Sequence, residues 1–133
     1  MAPEYLFVYG TLRQGAVAHA VLDRACTFVG DAAMPGALYD VDGYPGAIQL
    51  PDRTGMVRGE VYALPPESTT LDRLDRYEGC APEFPHPHEY VRLRVPVSLA
   101  DGRTLSAWAY IYNRDTSSLI EIMSGDYLNR SNG

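Results

Sequence analysis

"YVRLRVPVSLADGRTLSAWAYIY", residues 90–112, is the stretch from which the fold is read. Val91, Leu93, Val95, Val97 and Leu99 alternate with Tyr90, Arg92, Arg94 and Ser98, the period-two pattern of a strand with one buried face. Pro96 breaks the polar row and predicts a sheet edge or a bulge, because proline has no N–H to give to a ladder. Ala100–Arg103 ("ADGR") carries the Asp-Gly pair of a tight hairpin turn. The returning strand is Thr104–Tyr112, on which Trp108, Tyr110 and Tyr112 share a face. Aromatic rings so placed pack a core or wall a pocket.

Upstream of the hairpin, Thr69–Gly79 ("TTLDRLDRYEG") predicts the one clear amphipathic helix. Pro65 and Pro66 stop the preceding strand, Glu67, Ser68 and Thr69 supply acidic and capping groups, and Gly79 suits a left-handed end. Further back, Met56–Leu64 ("MVRGEVYAL") alternates as a strand, with Gly59 a bulge or a close-contact point. Phe28–Leu50 is punctuated by glycine and proline and predicts short strands of a curved sheet, "GALYDV" and "PGAIQL" among them. His19–Arg24 is a short helical candidate, and Leu6–Tyr9 a central strand. Past residue 112 the tail predicts one short helical turn. The sum is a single α+β domain over residues 1–133, with about 129–133 as a tail: a small, mixed, curved β-sheet or barrel flanked by short helices.

The 133 residues are enough for one sizeable core, and 46% apolar with 21% charged residues is ordinary for a globular chain. A net charge of −6 argues against nucleic acid as partner, since phosphate binding needs a basic surface. No apolar run reaches a membrane span and the start lacks a signal peptide's pattern, so a cytoplasmic location is expected, with Cys26 and Cys80 as thiols. All 11 basic residues are arginine. Without lysine, Schiff-base catalysis is excluded. Gly10 and Gly15 have P-loop spacing, but Ala16 and Val17 stand where Lys and Ser/Thr are needed, so no nucleotide site is read there. Cys80, His86 and His88 lack the spacings of zinc motifs, and no cofactor or metal is expected. Cys80 with His86 lacks an orienting third group, and no G-x-S-x-G elbow is present.

Glu78 breaks two local rules. It continues the apolar stripe of Leu71 and Leu74, where an isolated carboxylate is costly to bury, and it stands at a helix C-terminus, where the macrodipole favours cations. Both disfavour the ionised form and suit a general base that takes a proton and returns it. The alternative is a frayed last turn with Glu78 in water.

Phe7–Gly15 ("FVYGTLRQG"), Arg58–Leu64 ("RGEVYAL"), "LDRLDRYEGCAPEF" followed by "YVRLRVPV", and "AWAYIY" together resemble the gamma-glutamylcyclotransferase-like family, most of all its gamma-glutamylamine cyclotransferase branch and bacterial relatives. The resemblance runs from Leu6 to about Leu128. It implies a small mixed β-barrel with flanking helices and an enzyme that closes a gamma-glutamyl amide into 5-oxoproline, releasing an amine. It places the catalytic glutamate on Glu78 and the main-chain grip on the glutamyl head at Tyr9, Gly10, Thr11 and Leu12. Arg13, Tyr90 and Tyr110 are pocket-lining candidates, and Arg92 pairs with Tyr90 as structural or pocket-lining support. The partner implied is a small gamma-glutamyl molecule, and the oligomeric state is left open. The segment between Gly79 and Tyr90 is longer than is usual in the family and bears on the leaving amine. A non-catalytic small-molecule-binding protein of the same fold is the alternative.

Overall fold

The computed structural model describes residues 4–10, 26–41, 43–50, 55–65, 70–77 and 88–127. Its strands are β1 (Tyr5–Val8), β2 (Thr27–Val41), β3 (Tyr44–Gln49), β4 (Met56–Ala63), β5 (Tyr90–Leu99), β6 (Thr104–Tyr112) and β7 (Ile120–Glu121), with α1 (Thr70–Tyr77) between β4 and β5. Strands pair in the order β2-β4-β1-β6-β5, and β5 returns to β2, which closes a five-stranded barrel; β3 and β7 extend β2 beyond it. The predicted curved β-sheet or barrel with a flanking helix is the fold observed.

Period-two alternation explains which side chains fill the barrel. Phe7, Val57, Val61, Val95, Val97, Ala107 and Ala109 are each at most 1% exposed and form the interior cluster with Tyr9, Met34 and Ile111. The opposite faces of β1, β4, β5 and β6 carry a second cluster, Leu6, Val8, Tyr62, Tyr90, Tyr110 and Tyr112, which Leu74 of α1 joins. The outer face is thus buried where α1 covers it, at Tyr90, Tyr110 and Tyr112, and open farther along β5, where Arg94, Pro96 and Ser98 are exposed.

The 90–112 hairpin has its predicted bounds, and its ladder runs unbroken through Pro96 opposite Ser106. Pro96 therefore marks an edge and no bulge. Leu93 departs from the expected buried row and is 42% exposed. The reason is partial closure: among the described residues β5 meets β2 only at Ser98 and Leu99, so Leu93 lies beyond the closing pairs.

One further expectation needs correction. Residues 27–41 form one 15-residue strand where several short ones were expected. Its first part pairs with β4 as far as Pro35, and from Gly36 onward it pairs with β3. Proline and glycine thus mark a change of partner within one strand. In the tail the two-residue β7 pairs with Tyr39 and Asp40 of β2, and a helical turn of the 3₁₀ kind opens at Tyr127, the last described residue. Gly59 is the close-contact point of its two alternatives: a Cβ there would lie 2.3 Å from the Val8 carbonyl oxygen. The bulge falls on the partner strand, between Phe28 and Gly30. The helical candidate at His19–Arg24 lies outside the described residues.

Candidate functional site

The end of β1 sets the site. Tyr9 follows the last residue of β1 and turns its ring into the barrel mouth. Its hydroxyl accepts a hydrogen bond from the Ala47 N–H at 3.2 Å and donates one to the Tyr110 carbonyl. One side chain thereby joins β3 to β6, two strands that share no ladder. The Tyr9 side chain is a rung of the scaffold, and any grip on a ligand from this residue falls to its main chain.

Gly10 comes next and is packed against β3 so closely that a Cβ would sit 2.4 Å from Pro45 Cγ. No other residue fits that gap without displacing the Pro45 ring. The Pro45 carbonyl accepts a hydrogen bond from the Tyr90 hydroxyl at 2.7 Å, and the Tyr90 ring stands edge-on to Tyr112, centroids 5.6 Å apart. Tyr9, Gly10, Tyr90 and Tyr110 are thus gathered around Pro45–Ala47. Thr11, Leu12, Arg13 and Glu78 lie outside the described residues.

A second constellation docks α1. Asp75, in the last turn, accepts hydrogen bonds from Arg92 Nε at 2.8 Å and Arg92 Nη2 at 3.2 Å, a bidentate fork. The Tyr110 hydroxyl, with one hydrogen to give, donates to Asp75 Oδ1 at 2.7 Å; the Leu71 carbonyl stands farther off, at 3.4 Å. Arg92 and Tyr110 face each other across β5 and β6, so a single carboxylate meets both members of one cross-strand pair. The Arg92 guanidinium carbon also lies 4.7 Å from the Trp108 ring centroid, and that of Arg94 4.4 Å. Glu4 completes this edge, accepting from Arg94 Nη2 at 2.7 Å and Trp108 Nε1 at 3.1 Å. A cavity of about 420 Å³ opens here, lined by Asp75, His88, Val91, Arg92 and Trp108. Of the pocket-lining candidates, Tyr110 joins the two constellations: its carbonyl serves Tyr9 and its hydroxyl serves Asp75.

Sequence reasoning overlooked Asp75 and Glu60. Asp75 was legible as the polar neighbour of Leu74 on the inward side of α1. Glu60 is 5% exposed and accepts a hydrogen bond from Tyr62 at 3.0 Å. Its signal was a strand, "RGEVY", destined to be covered on both faces. Among the described residues no group of three His, Cys, Asp or Glu could hold a metal ion, and no helix is long and apolar enough to cross a membrane. Cys80 and His86 lie outside those residues.

The family model for gamma-glutamyl cyclotransferase, AIG2-like proteins matches residues 6–129. The gamma-glutamylcyclotransferase family protein YtfP of Escherichia coli strain K12 is 34% identical over 128 residues, 94% of this chain and 96% of its own. The gamma-L-glutamyl-butirosin B gamma-glutamyl cyclotransferase of Niallia circulans is 35% identical over 111 residues, covering 83% of this chain and 67% of that one. Among solved structures, an AIG2-like protein of Mus musculus shares the fold with a TM-score of 0.72 at 24% identity, over 90% of this chain and 86% of that one.

Proposed function

The chain belongs to the gamma-glutamyl cyclotransferase, AIG2-like family and is an enzyme of the gamma-glutamylcyclotransferase type; from that premise we propose that it cleaves a gamma-glutamyl amide by internal attack, releasing 5-oxoproline and a free amine. The observation that carries this reading is the fixed corner at Gly10, where β1 ends against Pro45 with no room for a side chain.

The reaction needs no enzyme nucleophile, because the substrate's α-amine is tethered to the carbonyl it attacks. Glu78 takes a proton from the α-ammonium, and the freed amine forms the N–C bond that closes the five-membered ring. The carbonyl oxygen carries the developing negative charge. Main-chain N–H groups of the loop Tyr9, Gly10, Thr11 and Leu12 hold the glutamyl head and that charge. Collapse of the intermediate breaks the bond to the leaving nitrogen, which receives its proton from Glu78; the ring nitrogen then gives its extra proton to the regenerated carboxylate, which passes it to the departing amine, leaving the neutral lactam and an ammonium. Because the tether already makes the attack intramolecular, holding the glutamyl chain in a near-attack shape contributes the freezing of its rotors, about 1.5–2 kcal/mol, and the proton transfers contribute about 10²–10⁴-fold in rate. Tyr90 and Tyr110 support the pocket through Pro45 and α1. Arg13 adds charge at the loop, and residues 80–89 bear on the choice of leaving amine.

The test is incubation of the purified protein with a panel of gamma-glutamyl amines, gamma-glutamyl amino acids and gamma-L-glutamyl-butirosin B, with 5-oxoproline as readout. Turnover by the wild type that falls about 10²-fold or more in Glu78→Gln supports the reading. No turnover, with 5-oxoproline still bound, establishes instead a binding protein of the same fold. Turnover undiminished in Glu78→Gln removes that residue from the chemistry.

A further inference from the structure

We propose that Asp75 is a positioning residue for the acid/base step. It fixes the place and the roll of α1, so that the carboxylate three residues on in the sequence, Glu78, meets the substrate. This rests on the function proposed above.

Asp75 is poorly suited to a purely stabilising role. It occupies the last turn of α1, where the macrodipole disfavours an anion, and its side chain is only 15% exposed. An apolar residue packed beneath the helix would avoid both costs. The carboxylate instead supplies direction. A single contact fixes one distance, whereas the fork from Arg92 Nε and Nη2 fixes the plane of the carboxylate, and the Tyr110 hydroxyl fixes a third point. The three donors come from adjacent strands in register, Arg92 opposite Tyr110. Arg92 is itself steadied by the Trp108 ring. A helix whose last turn is tied through one carboxylate to three donors, with Leu74 buried beside it, can neither slide along the sheet nor turn about its axis without breaking the fork. Tyr110 ties the same anchor to the corner, since its carbonyl receives the Tyr9 hydroxyl just before Gly10. The end of α1 and the start of the binding loop are thus referenced to a single residue of β6.

The test is steady-state kinetics of the full chain on a gamma-glutamyl substrate that the wild type turns over, with thermal melting in parallel. Asp75→Asn loses the fork's charge and is expected to lower kcat about 10- to 100-fold with KM within about threefold, as a displacement near 1 Å does to a reacting group. Tyr110→Phe keeps the fork and is expected to lower kcat less, about two- to tenfold; it decides the matter if Asp75→Asn does not fold. In a Glu78→Gln background, Asp75→Asn is expected to add nothing, because residues that act as a unit are not additive. The proposal is overturned if kcat per folded molecule is unchanged while only the melting temperature falls. A change confined to KM, or an undiminished effect on top of Glu78→Gln, overturns it equally. A wild type without turnover removes the proposed function and this inference with it; turnover by the wild type and Asp75→Asn alike removes the inference alone.

Discussion

Replacing Tyr9 by phenylalanine removes one oxygen atom and two hydrogen bonds. The ring, 6% exposed, keeps its place in the barrel mouth, so no cavity larger than a hydroxyl results. What remains is a buried Ala47 N–H without its acceptor and a Tyr110 carbonyl without that donor. An intramolecular hydrogen bond contributes about 0.5–1.5 kcal/mol net, while a buried group left unsatisfied costs about 1–3 kcal/mol. Two groups are affected, so a loss of about 2–3 kcal/mol is expected. For a chain of this size that is a fall in melting temperature on the order of 6–12 °C. Equilibrium urea unfolding followed by tryptophan fluorescence, with Trp108 the sole reporter, measures it directly. The denaturant slope should be unchanged, because the same surface is exposed on unfolding. A loss below about 0.5 kcal/mol, the lower bound for a single bond, would mean that the hydroxyl is no rung between β3 and β6.

Gly10→Ala forces a Cβ to within 2.4 Å of Pro45 Cγ. Pro45 is pinned by the Tyr90 hydroxyl, so the loop must give way, and a cost of about 1–3 kcal/mol is expected, seen in thermal melting, together with a raised KM. Leu74→Ala empties the centre of the seat of α1, where Leu74 is 0% exposed. A loss of about 2–5 kcal/mol in urea unfolding is expected, and a value under about 1 kcal/mol would show that the helix is not packed as described.

Local pattern carried much of the architecture. The hairpin of residues 90–112 was legible because alternation, an Asp-Gly turn and a second alternation agree with one another. The helix was legible from Leu71 and Leu74 at helical spacing, with prolines before it and a glycine after. Gly59 was marked as a close contact or a bulge, and the choice between them needed the Val8 carbonyl on a neighbouring strand. The reading of 27–41 as several strands failed because Pro35 and Gly36 are ordinarily stops. Here a bend is tolerated where β2 trades β4 for β3. In the site, Tyr9 and Gly10 were singled out by position, but the Tyr9 hydroxyl was not recognised as a scaffold group. Asp75 on a short helix reads as a solvated charge until Arg92 and Tyr110, 17 and 35 residues away, are brought against it.

The sequence by itself determined the hairpin of residues 90–112, the strands β1 and β4 to within a residue, where the helix lies, and the family resemblance that points to a small gamma-glutamyl substrate. Those properties are encoded over two to seven residues, in dihedral preference and in the periodicity of apolar side chains. Only the tertiary structure decided that residues 9, 47 and 110 share one hydroxyl and that residues 75, 92 and 110 share one carboxylate. These meetings depend on the closure of β5 onto β2 and on the register of β6 against β5, which no local pattern specifies. A hydrogen bond between residues 101 positions apart exists only once every strand between them has found its partner.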